Sequence, residues 1–231
     1  MSTKSKEAIY RRLQSLPIFA DLDEEDLETL ADLVVLKKVP KGAFIIGQNE
    51  PGEAMYLLVS GRVKVSLANP GGKELALGYL EAPSHFGEMA LVDSGPRSAD
   101  VIAMTDVEVL SLDAKDLARA IQVQPRLALS LIATLSQRLR STIQRLEDMA
   151  FRDARHRVMR VLLNIATAAY ETRGVPVIEG VTHYEIATLA GTSRETASRI
   201  ISQLAKDGAL ATKGRKIVVD LFKIQEAFLA E

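Results

Sequence analysis

At 231 residues and 47% hydrophobic content the chain can bury ordinary cores in one or two domains, with two the better fit, which excludes a disordered or fibrous protein. The formal net charge of -1 conceals an asymmetry, because Lys plus Arg against Asp plus Glu is 17 against 21 over residues 1–150 and 12 against 9 over 151–231, so the halves carry -4 and +3. That fits an acidic module joined to one that meets a polyanion, although so small a difference also arises by chance, and the absence of cysteine excludes disulfides, thiolate zinc sites, cysteine-ligated iron–sulfur clusters and a Cys nucleophile.

The first residues, MSTKSKEAIYRRLQ, are polar and mixed in charge where a signal peptide needs an apolar stretch, and no later segment is long and uncharged enough to span a membrane. A cytoplasmic protein without membrane association is expected. From Leu16 to Val109 the apolar residues come in short runs punctuated by glycine, as in AFIIGQNEPG, AMYLLVSGRVKVSLANPGG and LALGYLEAP. Their period near two predicts strands. Met55, Leu57 and Val59 alternate before Ser60-Gly61 and Val63, Val65 and Leu67 after it, which reads as a hairpin turning at Ser60-Gly61. Several such strands at short spacing make an antiparallel barrel or sandwich.

Within this region FGEMALVDSGPRSADV, Phe86 to Val101, holds one Glu and one Arg in an otherwise small or apolar run. Arg97 offers a planar charged fork and Ser98 a hydroxyl to an anion such as a ring phosphate, and the amides opening a short helix at Glu88-Met89-Ala90-Leu91 would face the same charge. The Glu88 carboxylate is an acceptor, and its natural partner is a sugar hydroxyl such as the free ribose 2'-OH of a 3',5'-cyclic nucleotide. Gly87 would let the backbone approach that sugar. Alone, a turn glycine with an Arg–Glu surface ion pair would look the same.

After Asp113 the pattern turns helical, with no glycine between Gly95 and Gly174. Ala128, Ile132, Leu135, Leu139, Thr142, Leu146 and Met149 form an a/d heptad seam, which predicts a coiled-coil dimer helix; a long helix lying on its own domain is the competing reading. Thr142 interrupts the apolar seam with a hydroxyl that can serve a ligand or the carbonyl one turn back. Ala150-Phe151-Arg152-Asp153 follows, with Asp153 as N-cap of a helix from Ala154 to Thr172.

Beyond Gly180 the sequence predicts two helices and a hairpin pivoting near Lys213-Gly214. Thr182 with Glu185 fits a capping box, Gly191 supplies the turn, and a second helix from Arg194 to Asp207 buries Ala197, Ile200, Ile201 and Leu204. Arg194, Glu195, Ser198, Arg199 and Gln203 are left on its outer face, a geometry that enters a major groove. Arginine reads guanine bidentately and glutamate accepts from cytosine N4, the reading favoured for Glu195 over its rival, a Thr192-x-x-Glu195 capping box. Ser193, Thr196, His183, Lys213 and Arg215 sit where they would meet phosphates.

SRETASRII, the hairpin KGRKIVV and the preceding helix together resemble the winged helix-turn-helix of the catabolite activator protein (CRP/FNR) family, and the order of regions extends the resemblance over essentially the whole chain. The segment from Phe86 to Val101 likewise resembles the phosphate-binding cassette of cyclic-nucleotide-binding domains. The resemblance implies an α+β fold: an antiparallel β-roll over residues 1–125, a dimerisation helix over 126–150 and a winged helix-turn-helix over 151–231. It implies a cyclic-nucleotide site of Gly87, Glu88, Met89, Arg97, Ser98, Thr142 and Arg138, taking cyclic AMP first and cyclic GMP second, with no metal. On DNA it implies base contacts by Arg194, Glu195 and Arg199 to palindromic sites with GTGA-like half-sites, bound by a homodimer, and RNA polymerase as a further partner. Ile143 departs from the family's pattern, in which a serine follows the threonine of the dimer helix, so this sequence lacks the hydroxyl with which the family's partner subunit reaches the base. Other readings are a ligand-independent regulator, or a cyclic-nucleotide-binding subunit that does not bind DNA. An enzyme built on a metal barrel would need a cluster of ligands, yet of the three histidines only His85 falls in the strand region.

Overall fold

A computed structural model describes residues 3–69, 71, 74–214 and 216–229. These residues divide into two compact units, 1–73 with 77–140, and 74–76 with 141–231. In chain order the first unit opens with α1 (Thr3–Gln14), a 3-10 turn at Pro17–Phe19 and α2 (Glu24–Leu33), whose N-cap Asp23 accepts from the Asp26 amide. Strands β1 (Val35–Val39), β2 (Phe44–Ile46), β3 (Ala54–Ser60), β4 (Arg62–Ala68), β5 (Glu74–Glu81) and β6 (Ser84–Phe86) follow. The single-turn helix α3 (Met89–Val92), β7 (Asp100–Ala103), β8 (Val107–Asp113) and α4 (Ala114–Val123) lead into α5 (Arg126–Phe151), which runs on into the second unit.

The strands form two antiparallel sheets of order β1-β8-β3-β6 and β2-β7-β4-β5. Leu58, Val63, Phe86, Val101, Val107 and Val109 come from both sheets and make the core between them. Alternation then decides the other face of the first sheet: Leu57 and Leu110, neighbours of Leu58 and Val109, pack instead against Leu13, Phe19, Leu30, Leu117, Leu127 and Leu131 of the helices. A sheet buried on both faces requires apolar residues at consecutive positions, which is what AMYLLV supplies.

The expected hairpin at Ser60-Gly61 is absent. β3 pairs with β6 and β8 while β4 pairs with β7, so the chain crosses at this point from one sheet to the other. Gly61 makes that corner at φ +85, where a Cβ would lie 2.6 Å from the Asp106 carbonyl oxygen. Alternation marks each strand but carries no information about its partner, and the inward residues Leu58 and Val63 meet across the sandwich.

In the second unit Asp153 caps α6 (Ala154–Arg173) by accepting from the His156 amide, and Gly174 ends it at φ +71. β9 (Val177–Glu179), α7 (His183–Leu189), α8 (Arg194–Lys206), β10 (Leu210–Lys213), β11 (Lys216–Val219) and α9 (Leu221–Leu229) complete the chain. The strands pair in the order β10-β11-β9, with Lys213 opposite Lys216 at the hairpin tip. Val158, Leu162, Ile186, Ala197, Ile201, Leu204, Ile217 and Ile224 form the core beneath them.

Candidate functional site

In the first unit the Phe86–Val101 segment is held from both ends. β6 pairs with β3, and beyond α3 the Arg97 backbone exchanges two bonds with the 49–50 turn, Asn49 N–H to Arg97 O and Arg97 N–H to Glu50 O, each 2.9 Å. Gly87, at φ +82, has no room for a Cβ, which would lie 2.8 Å from Arg97 Nη1 and 2.9 Å from Ile46 Cδ1. The space a side chain would fill is taken by the guanidinium.

Arg97 is buried and donates to two backbone carbonyls, Nη1 to Gly87 O at 2.8 Å and Nη2 to Ala54 O at 2.7 Å. It also lies over the Tyr56 ring, 5.9 Å from the centroid, and Tyr56 in turn stacks on Phe86. Two of five N–H donors are thus committed to carbonyls, which aims the fork. Glu88 is 1% exposed, with Oε1 on Arg138 Nη1 at 2.5 Å, while its Oε2 is buried with no hydrogen-bond partner among the described residues. Arg138 reaches it from α5, on the helix face shared with buried Leu127 and Leu131, and donates from Nη2 to His85 O at 2.6 Å. A buried carboxylate with one oxygen neutralised and the other lacking a donor is built to accept from a hydroxyl. The chemistry suits a ribose beside an anion.

Met89 and Ser98 are exposed at the rim, and Thr142 is exposed on α5 one turn beyond Arg138. His85 is the group that sequence reasoning overlooked as part of this site. It is buried between Glu88 and Arg138, and desolvation, opposed by Glu88 and aided by Arg138, lowers its pKa to about 4. No group of three or more His, Asp or Glu able to hold a metal occurs among the described residues, and no helix among them is long and apolar enough to cross a membrane.

On α5 the seam residues Ile132, Leu139, Leu146 and Met149 are 57, 61, 67 and 51% exposed. Leu129 and Ile143 join them at 65 and 55%, so the apolar stripe is wider than the seam and includes the residue that follows Thr142. Ala128 and Leu135 are half-buried. At the far end of α5 buried Asp148 pairs with Arg160 of α6, Nε to Oδ2 at 2.5 Å, and the Arg160 guanidinium covers Phe228 of α9.

The second candidate site is α7 with α8. The capping box of Thr182 and Glu185 is complete, and Ala197, Ile200, Ile201 and Leu204 are buried as expected. Gly191 turns the chain at φ +59, braced by Arg157, whose Nε donates to Ala190 O and whose Nη1 donates to Arg152 O. No motif marks Arg157, since a single charged residue on an amphipathic helix has no periodic signature. Arg194, Glu195 and Arg199 are exposed at the start of α8. The Thr192-to-Glu195 box is not formed, because the N-cap is Ser193, whose side chain accepts from the Thr196 amide. Glu195's own amide and the Ser193 hydroxyl hold its carboxyl below the ordinary range. His183 Nδ1 and Ser198 Oγ lie 3.0 Å apart, and Lys213 is exposed at the hairpin tip; Arg215 lies outside the described residues.

Two family descriptions match the chain: a cyclic nucleotide-binding domain over residues 36–124 and a Crp-like helix-turn-helix domain over 156–226. The cyclic AMP receptor protein of Thermus thermophilus is 35% identical over 198 residues, 86% of this chain and 89% of that protein. The cAMP-activated global transcriptional regulator CRP of Escherichia coli is 34% identical over 188 residues, 80% of this chain and 89% of its own length. Among solved structures, the c-di-GMP-responsive global regulator CLP of Xanthomonas campestris matches with a TM-score of 0.74 at 26% identity, covering 85% of this chain and 99% of that one.

Proposed function

We propose, since the chain belongs to the catabolite activator protein (CRP) family of cyclic-nucleotide-binding transcription regulators, that it is a cyclic-AMP-responsive homodimer reading palindromic DNA with GTGA-like half-sites. The observation that carries the ligand is Glu88: a carboxylate almost wholly buried, with Oε1 on Arg138 and Oε2 awaiting a donor. The ribose 2'-hydroxyl supplies that donor, and Arg97, aimed by Gly87 and Ala54, meets the ring phosphate. Gly87, Met89 and Ser98 border the same ligand. The names of the Thermus and Escherichia relatives support cyclic AMP over other nucleotides.

On DNA, Arg194, Glu195 and Arg199 read base edges, while Ser193, Thr196, His183, Lys213 and Arg215 meet phosphates. The exposed stripe of α5 from Leu129 to Met149 is the dimer seam, and RNA polymerase is the partner to which a DNA-bound regulator of this family delivers its effect. In this reading residues 1–125 sense, 126–150 dimerise and 151–231 bind DNA.

Calorimetric titration of the purified protein with cyclic AMP, cyclic GMP and c-di-GMP tests the ligand. Saturable binding of one cyclic AMP per chain, tighter than either competitor, is expected; heat from none of the three leaves a ligand-independent regulator.

A further inference from the structure

His183 and Ser198 belong to different helices, and the structure joins them to each other. His183 opens α7, Ser198 lies one turn into α8, and Nδ1 to Oγ is 3.0 Å, with both residues half-buried. A serine inside a helix ordinarily turns its hydroxyl back on the carbonyl four residues earlier, as Ser202 does here toward the Ser198 carbonyl at 2.8 Å. Ser198 instead spends its hydroxyl across the corner between the helices. The opposite ring nitrogen, Nε2, makes no hydrogen bond among the described residues, and the half-buried ring is not sealed from solvent.

A neutral imidazole carries one N–H and one acceptor, and the partner of one nitrogen decides which carries the proton. Serine's hydroxyl has a hydrogen to give. Resting on the DNA-binding reading above, we infer that Ser198 is a positioning residue and not a base reader: its hydroxyl donates to His183 Nδ1, keeps the proton on Nε2 and presents an uncharged N–H donor to a DNA phosphate. The contact fixes register between α7 and the backbone while adding no positive charge. It therefore differs in kind from Lys213, whose phosphate contact displaces a counterion.

Nitrogen-15 spectroscopy of the imidazoles in the free protein, at neutral and mildly alkaline pH, tests the tautomer directly. The Nε2–H form is expected for His183 in wild type and in Ser198→Thr, which keeps the hydroxyl, and a mixture of tautomers in Ser198→Ala. A wild-type Nδ1–H form, or an imidazolium at mildly alkaline pH, overturns the inference. DNA titrations across salt concentrations supply the second readout. Ser198→Ala and His183→Ala should each weaken all sequences by a similar factor, about 3- to 10-fold, with an unchanged salt slope and an unchanged base motif. The double variant should bind no worse than His183→Ala alone. A motif relaxed at one base pair by Ser198→Ala makes Ser198 a base reader and overturns the inference. Wild-type protein that binds no DNA sinks the proposed function and the phosphate contact together, whereas the tautomer measurement judges the Ser198 contact alone.

Discussion

Arg97 serves two purposes at once, and its substitution has two measurable consequences. It holds the Gly87 and Ala54 carbonyls, and in the proposed function it meets the nucleotide phosphate. Arg97→Ala should cost about 2–5 kcal/mol in nucleotide affinity, as expected for truncating one partner of a buried charged pair. It should also cost about 1–3 kcal/mol in stability, because buried carbonyls lose their donor. Calorimetry and urea unfolding read the two separately, and unchanged nucleotide affinity would mean that the anion binds elsewhere. His85 gives the site a pH signature. Its buried imidazole titrates at about 4 against 6.5 ordinarily, so between those values the unfolded chain takes up a proton that the folded chain refuses. Its stabilisation is complete above pH 6.5 and is lost as the pH falls toward 4, about 3 kcal/mol in all. His85→Leu should flatten this part of the stability profile in urea titrations at stepped pH, and an identical profile in the variant would place the acid sensitivity in other groups.

At the scale of elements, α5 has apolar residues on two faces. Leu127 and Leu131 are buried in the first unit's core, while Ile132, Leu139, Ile143 and Leu146 lie exposed in a row. So long an exposed apolar stripe calls for a partner. Leu139→Asp would set two carboxylates against each other in that seam, and light scattering should report a dimer for wild type and a monomer for the variant. A wild-type monomer at micromolar concentration would remove the dimer. The heptad spacing made this element legible, as 3.6-residue periodicity and capping residues made α6, α7 and α8 legible. The crossing at Gly61 was not, since a period of two shows which face of a strand is buried but not which strand lies beside it. Within the cassette, residue types announced Gly87, Glu88 and Arg97. The Arg138–Glu88 pair, the buried His85 and the bond from Arg157 to Ala190 depend on contacts between residues 33 or more apart or on burial of a polar group, and neither leaves a local pattern.

In the proposed function the molecule carries two kinds of site that inform each other. If cyclic AMP raises affinity for operator DNA by some factor, operator DNA must raise affinity for cyclic AMP by the same factor, since both describe one coupling free energy. Two reader helices related by a two-fold axis and set about one turn of B-DNA apart, roughly 34 Å, then demand a symmetric site with half-sites at that spacing. Control of sequence-specific DNA binding by the nucleotide is read by selection of binding sites from random duplex DNA, with and without cyclic AMP. A palindrome with GTGA-like half-sites is expected, enriched strongly only when cyclic AMP is present. Recovery of no palindrome, or of the same palindrome to the same extent without the nucleotide, would contradict it.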